Sequence, residues 1–262
     1  SFFLSGFPWN LIGTVWANID ILIQFTSVAG VLGLGLVTLL AALLPAGLVY
    51  KNEVKNYNFR FLPILGVVLL ICVAGFGVFR LSSAEQSVMD AVKLRLVQPN
   101  IAQHLKWEPN LLLSHMRTLM RLSAQASTEG SAPSHIIWPE TAVPYDLQHD
   151  TNLLSALAEI TPPDGALITG ALRSSGPKSE MLQHWNSLLV LQAGGKITAI
   201  YDKMHLVPFG EYVPWRSVLR LTKLTAGRTD FSVGKTTRTI KISGLPIFAP
   251  LICYEAIFAN EV

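Results

Sequence analysis

Three residues of types suited to thiol acyl chemistry each follow an apolar run of the chain. Glu140 ends Ile136-Ile137-Trp138-Pro139, Lys203 follows Tyr201-Asp202, and Cys253 follows Pro250-Leu251-Ile252. A cysteine attacks as the thiolate, and an ordinary thiol with a pKa of about 8.5 is mostly protonated at neutral pH. Glu140 can accept the thiol proton, and Lys203 can stabilise a thiolate or an oxyanion. These residue types indicate acyl transfer through a thioester.

Each of the three residues also has an ordinary structural explanation. Glu140 can cap the segment that follows it, Lys203 can be a solvated loop cation, and Cys253 can be a small buried residue. We expect Cys253 to end a strand and open a turn into helix, where the backbone N–H of Tyr254 helps to bind an oxyanion. The sequence alone does not show that the three side chains converge, so both interpretations stay open at this point.

The first third of the chain contains two long uncharged segments. No charge occurs between Asp20 and Lys51, nor from Phe61 to Phe79. A membrane-spanning helix needs about 20 mostly apolar residues. We therefore predict transmembrane helices over residues 24–48 and 61–80, with buried helices of a soluble protein as the alternative. Small residues that permit close helix packing occur in the first span: Gly30, Gly33 and Gly35.

The short loop between the two predicted spans, residues 51–60, carries three basic residues against one acidic residue. Short loops rich in Lys and Arg stay cytoplasmic. This predicts that residues 1–20 and everything after Arg80 lie outside the cytoplasm, which means the periplasm in a bacterium with two membranes. Trp9 and Trp16 fit interfacial anchors. The chain shows no signal-peptide pattern, and we expect it to be an internal piece of a longer protein.

The two cysteines are predicted to lie in different environments. Cys72 falls within the second span and fits a small apolar residue that faces lipid or packs against a neighbour, whereas Cys253 falls in the outer region. Because periplasmic thiols are usually oxidised in pairs, a lone one is a candidate reactive thiol. The histidines show no paired ligand spacing, and basic residues form no stripe, so we expect no metal, no other cofactor and no nucleic-acid partner.

After residue 91 the pattern changes to alternating strands and helices. Strands are predicted at 92–96, 135–138 and 166–172, and helices at 109–122 and 151–160. Two strand pairs follow, at 187–192 with 196–201 around Ala193-Gly194-Gly195, and at 236–242 with 247–252. This mixture indicates a layered α/β architecture.

The motifs around these residues resemble a known family. Trp138-Pro139-Glu140, Asp202-Lys203 with Pro208-Phe209-Gly210-Glu211, and Ile252-Cys253-Tyr254-Glu255 resemble the nitrilase superfamily. Together with the apolar spans and the segment Ser5-Gly6-Phe7-Pro8-Trp9, they are similar to its membrane-anchored branch, the apolipoprotein N-acyltransferases. The resemblance implies a transmembrane α-helical segment, residues 1–80, followed by an α/β nitrilase-like α-β-β-α sandwich. That periplasmic catalytic domain, residues 91–262, is expected to be C-terminally incomplete.

The resemblance also implies roles for individual residues. It makes Glu140 the general base, Lys203 the oxyanion-stabilising lysine, Cys253 the nucleophile and Glu211 a second glutamate that supports them. Substrate-binding residues implied by it are Tyr254 and Glu255 beside the nucleophile, Trp107 on a mobile loop, and Phe7 and Trp9 near the lipid. Interfacial packing explains the last three aromatic residues almost as well.

The reaction implied by the resemblance has two steps. A phospholipid, typically phosphatidylethanolamine, acylates Cys253, and the α-amino group of a diacylglyceryl-cysteine apolipoprotein then takes the acyl chain. The enzyme is expected in the bacterial inner membrane as a multi-pass protein. The alternatives are a membrane-anchored nitrilase-like amidase, which uses water in the second step, and a non-catalytic membrane scaffold. We also expect the 262-residue chain alone to be inactive.

Overall fold

The computed structural model describes residues 10–46, 61–85, 87–127, 130–176, 182–214, 230–235 and 239–258. The chain divides into two compact units, Ser1–Val88 and Met89–Val262. The predictions made for Phe7, Trp9 and the loop at 51–60 lie outside the described residues.

The first unit is helical in its described part. Its α-helices are α1 (Asp20–Ile23), α2 (Thr26–Leu43) and α3 (Leu62–Ser82), and a 3-10 helix, Ile12–Trp16, comes before them. Two segments, Thr26–Ala46 and Leu62–Ser82, are long and apolar enough to cross a membrane by length and composition. They agree with the predicted spans to within a few residues. A small core holds the unit together: Leu22, Leu34, Val37 and Val73.

The glycines of α2 differ in what they do. Gly35 packs closely on the 3-10 helix, because a Cβ on Gly35 would lie 3.3 Å from the backbone N of Gly13. Gly30 instead interrupts the helix with φ 63° and ψ 179°, a conformation that glycine adopts readily. A Cβ on Gly33 would meet only Ala29 of the same helix. Close packing on another element is therefore seen at Gly35, whereas for Gly30 and Gly33 no such contact is made among the described residues.

The second unit contains a mixed sheet of five strands in the order β1-β2-β3-β4-β5. The strands are β1 (Leu94–Leu96), β2 (His135–Ile137), β3 (Ala166–Ser174), β4 (His184–Gln192) and β5 (Lys196–Asp202). The first three are parallel and the last three antiparallel. Parallel neighbours need a crossover connection, which α4 (Leu112–Ser123) and α5 (Thr151–Ile160) supply. The predicted helix at 151–160 and the predicted hairpin are confirmed.

The sheet is covered on its two faces by different parts of the chain. On one face, side chains of α4 and α5 such as Met116, Leu119 and Leu157 pack against Leu167 and Leu189 of the strands. On the other face, a second core joins strand residues to the segment that precedes Cys253: Ala166, Ile168, Val190, Tyr201, Ile240, Ile242 and Ile252. Burial of Ile252 against the sheet therefore fixes where the next residue, Cys253, stands.

Two strand predictions are only partly right. Within the described residues, the predicted pair 236–242 and 247–252 is joined by one antiparallel bridge between Ile240 and Phe248. In β1, Leu94 and Leu96 are exposed, while the guanidinium of Arg95 donates to the backbone oxygen of Ser123. The charged residue turns inward because it can bond a carbonyl at the C-terminal end of α4.

Candidate active site

Glu140 stands on a tight turn directly after β2. The next residue, Thr141, has a φ of 47°. Gly170 of β3 lies against this turn, since a Cβ at Gly170 would come within 2.7 Å of Thr141 N, Pro139 O and Glu140 Cα. Contacts that short do not occur without a shift of the backbone. A glycine in the neighbouring strand is therefore what allows the Glu140 turn to sit on the sheet.

Lys203 is a buried cation held by Glu211. It follows β5 with 1% of its surface exposed, and its Nζ lies 2.9 Å from each oxygen of the Glu211 carboxylate. The carboxylate also accepts a hydrogen bond from the backbone N–H of Val207 at 2.9 Å. Burying a charge is costly unless it is paired. The interpretation of Lys203 as a solvated loop cation is therefore wrong.

Asn186 connects the residues that the sequence singled out. Its Nδ2 donates to Glu140 Oε1 at 2.7 Å and to Glu211 Oε1 at 3.2 Å. Its backbone oxygen accepts the N–H of Lys203 at 2.8 Å. Sequence reasoning missed this residue because it placed the start of the strand at Ser187. The available signal was a polar side chain one residue before the predicted strand.

Cys253 begins a 3-10 helix, Cys253–Ile257, with a φ of 55°. The residue is exposed, so the interpretation as a small buried residue is wrong. Partial burial of the sulfur raises the pKa of the Cys253 thiol, and the charge of Glu140 raises it further. The charge of Lys203 and a backbone hydrogen bond from Tyr254 act in the opposite direction and lower that pKa. The thiol therefore lies within electrostatic reach of Glu140 and Lys203, and the net effect on its pKa disfavours the thiolate.

Glu255 is a buried carboxylate whose hydrogen bonds are internal. Its Oε1 accepts from the Tyr201 hydroxyl at 2.9 Å and from the N–H groups of Met204 and His205 at 2.8 and 3.1 Å. Its Oε2 accepts from the N–H of Ile252 at 2.8 Å. These contacts tie the segment after Lys203 to the segment before Cys253. These hydrogen bonds point the Glu255 carboxylate into the protein, which does not fit the substrate contact predicted for Glu255. Tyr254, by contrast, is 44% exposed.

A cavity of about 240 Å³ opens beside Glu140. Lys106, a residue that sequence reasoning did not select, lines it and donates from Nζ to the backbone oxygen of Glu140 at 3.1 Å. Burial lowers the pKa of Lys106, while the charges of Glu140 and Cys253 partly offset this. The Trp107 ring centroid lies 5.7 Å from that Nζ. Other polar residues in the lining are Gln98, Asn100, Gln103 and His115.

Sequence comparison assigns this second unit to a family. The family model described as carbon-nitrogen hydrolase matches residues 93–262, a range that contains every residue of the site described above. The chain belongs to the carbon-nitrogen hydrolase family. The resemblance to the nitrilase superfamily is thereby confirmed.

This carbon-nitrogen hydrolase chain also has curated relatives of similar sequence. An apolipoprotein N-acyltransferase of Bradyrhizobium diazoefficiens is 34% identical over 268 residues, covering 99% of this chain and 50% of the relative. One from Brucella suis is 34% identical over 271 residues, covering 100% of this chain and 50% of the relative. The chain therefore spans about half the length of the curated relatives it matches. Among solved structures, an amidase from Nesterenkonia sp. matches with a TM-score of 0.43 at 18% identity, covering 68% of this chain and 62% of that one.

Within the carbon-nitrogen hydrolase unit, most predicted site residues come together. Glu140, Lys203 and Glu211 are joined through direct hydrogen bonds or through Asn186, and Cys253 lies within the reach of their charges. The ring of Trp107 lies beside Lys106, which lines the cavity. In the part of the chain that the structure describes, no group of three His, Cys, Asp or Glu side chains can hold a metal ion.

Proposed function

We propose that this chain is the catalytic part of an apolipoprotein N-acyltransferase. The observation that carries the proposal is that the thiol of Cys253 feels the charges of both Glu140 and Lys203, whose buried ammonium is paired with Glu211. Two segments apolar enough to span a membrane precede this site in the same chain. The name of the relatives that match nearly the whole chain supports the same reaction.

The first half of the reaction acylates the thiol. Glu140 takes the proton of Cys253 as the sulfur attacks the sn-1 ester carbonyl of a phospholipid, with phosphatidylethanolamine as the proposed donor. Lys203 and the backbone N–H of Tyr254 stabilise the oxyanion. The carbon–oxygen bond then breaks, the leaving lysophospholipid oxygen receives the proton from Glu140, and an acyl thioester remains on Cys253.

The second half transfers the acyl chain to an amine. The α-amino group of a diacylglyceryl-cysteine apolipoprotein attacks the thioester carbonyl and forms a second tetrahedral oxyanion. Glu140 accepts a proton from the attacking amine and returns it to the sulfur as the carbon–sulfur bond breaks. The products are an N-acylated lipoprotein and the free thiol of Cys253, so the cycle is ping-pong and needs no cofactor.

We further propose that the catalytic unit lies on the periplasmic side of the inner membrane and forms an α-β-β-α sandwich. Both substrates carry lipid chains, which explains why the site belongs to a membrane-embedded protein. Leu94 and Leu96 leave an exposed apolar stretch on the sheet face opposite α4. Such a face is usually covered by a second layer, which supports the second sheet of the sandwich. Tyr254, Trp107, Phe7 and Trp9 are proposed to contact the lipids.

The experiment that tests this function follows the acyl chain. The full-length protein in detergent or membranes is incubated with phosphatidylethanolamine that carries an alkyne-tagged acyl chain. We expect a protein label that hydroxylamine removes, because hydroxylamine cleaves thioesters, and we expect Cys253→Ala to carry none. Cys72→Ala, which removes the other cysteine, is the matched control and should keep the label.

Two outcomes would contradict the proposal. A folded, membrane-inserted wild type that takes no label from phospholipid but releases ammonia from small amides would favour the membrane-anchored amidase. A Cys253→Ala variant that still acylates lipoproteins would show that the thiol is dispensable, as expected for a scaffold.

A further inference from the structure

We propose that Asn186 is a positioning residue that fixes which oxygen of Glu140 moves the proton. This proposal rests on the role given to Glu140 in the proposed function. The amide of Asn186 is 3% exposed and donates to both glutamates of the site, at 2.7 Å to Glu140 Oε1 and 3.2 Å to Glu211 Oε1.

The orientation of this amide follows from charge. With Nδ2 toward the two glutamates, each carboxylate meets a hydrogen-bond donor, whereas a flipped amide would place its oxygen against two anionic oxygens. In the orientation seen, Asn186 Oδ1 is buried and makes no hydrogen bond with the described residues. A buried polar atom without a partner is uncommon in folded proteins. Its presence here indicates that the amide is held for the donors that it supplies to the carboxylates.

The two oxygens of Glu140 differ in their hydrogen bonds. Oε1 is occupied by the strong bond from Asn186, while Oε2 has no hydrogen-bond donor among the described residues. We therefore assign Oε2 as the atom that accepts the Cys253 proton. Asn186 also accepts the backbone N–H of Lys203, so one residue sets the relative positions of the base and the oxyanion-stabilising cation.

Asparagine suits this position because its amide is neutral and has two donors. Aspartate has nearly the same shape but would place a third carboxylate against Glu140 and Glu211, where like charges favour retention of a proton. The other charged groups that face this cluster are Lys203, Lys106 and the Cys253 thiolate when it forms. The Asn186→Asp variant therefore changes the charge of the site with little change of volume.

The test uses the full-length protein and rates expressed per folded enzyme. We expect Asn186→Ala and Asn186→Asp to lower kcat on the order of 100-fold, the effect typical of a lost preorganised donor, with a much smaller change in KM for the lipid donor. For Asn186→Asp we also expect the acidic limb of the pH–kcat profile to move to higher pH. Asn152→Ala, which removes an exposed asparagine from α5, should leave both quantities unchanged.

A double-mutant cycle separates positioning from a general structural role. If Asn186 acts through Glu140, Asn186→Ala should cost little further rate in the Glu140→Gln background, whereas independent effects multiply. Multiplied effects, or an Asn186→Asp enzyme with wild-type kcat and pH profile, would overturn the proposal.

A measurement that uses no lipid separates a failure of this proposal from a failure of the proposed function. The pH midpoint for alkylation of Cys253 by iodoacetamide should move to higher pH in Asn186→Asp, because the added negative charge disfavours the thiolate. If wild type takes no label from phospholipid but this shift is present, the lipid reaction is wrong, while the coupling of position 186 to the site of Glu140 and Cys253 stands. An unchanged alkylation profile in folded Asn186→Asp would overturn the positioning role itself.

Discussion

Among single residues, the charges around Cys253 decide how the thiol reacts. Partial burial and the nearby carboxylate of Glu140 raise the pKa of the thiol, and Lys203 lowers it. A raised pKa disfavours the thiolate form of the resting thiol. The thiol loses its proton to a base as it attacks, which fits a site where Glu140 is the general base.

This arrangement predicts opposite effects of one substitution on two measurements. In a Cys72→Ala background, Glu140→Gln removes a negative charge near the sulfur, so the pKa of Cys253 should fall. The pH midpoint for alkylation of Cys253 by iodoacetamide should then move to lower pH, while acyl transfer should fall strongly, to a low residual rate, because the proposed base is gone. Glu159→Gln, at an exposed position on α5, is the control. An alkylation midpoint that stays fixed or rises in Glu140→Gln would contradict the assignment.

At the scale of secondary-structure elements, the site is built where strands end and neighbouring elements approach closely. The Glu140 turn follows β2 and lies directly on Gly170 of β3. Lys203 follows β5, and Glu255 connects the chain just after Lys203 to the residue before Cys253. Each functional side chain therefore depends on a backbone contact made by another element.

The closest of these contacts predicts a large effect from a single methyl group. Gly170→Ala places a Cβ 2.5 Å from Thr141 N, so the Glu140 turn must shift. A misplacement of about 1 Å can cost about 100-fold in rate, and we expect a loss of that order in thioester formation. Thermal unfolding, measured in parallel, should show that the protein still folds. Gly75→Ala, where the added methyl meets nothing within 4 Å among the described residues, is the matched control. An active Gly170→Ala enzyme would contradict the role of this contact.

At the scale of the whole molecule, the chain joins an apolar helical unit to an α/β unit that carries the site. The loop of residues 51–60, with Lys51, Lys55 and Arg60 against Glu53, predicts the orientation of this chain. Basic loops stay in the cytoplasm, so the catalytic unit is expected on the other side of the membrane.

Reporter fusions test that orientation. Alkaline phosphatase depends on disulfides that form outside the cytoplasm, so it should be active when fused after residue 88 and inactive when fused after residue 55. A fluorescent protein that folds only in the cytoplasm should give the opposite result. Activity of alkaline phosphatase after residue 55 would overturn the predicted topology. Replacing the three basic residues of the loop with Gln should weaken the difference between the two fusion sites.

Features that depend on local pattern were predicted from the sequence. The periodicity of apolar residues and the turn residues predicted the helix at 151–160 and the hairpin around Ala193-Gly194-Gly195. The motifs around Glu140, Lys203 and Cys253 indicated the family. Uncharged length alone predicted the two apolar helices. These features are encoded within short stretches of chain, so they can be read without knowledge of what packs against them.

Features that depend on residues far apart in the chain could be seen only in the folded protein. Asn186 lies 46 residues from Glu140 along the chain, so no local pattern connects the two. The inward turn of Arg95 and the internal hydrogen bonds of Glu255 also follow from contacts between separate elements. A side chain's chemical type is written in the sequence, but its hydrogen-bond partners, burial and nearby charges exist only once the sheet has brought remote segments together.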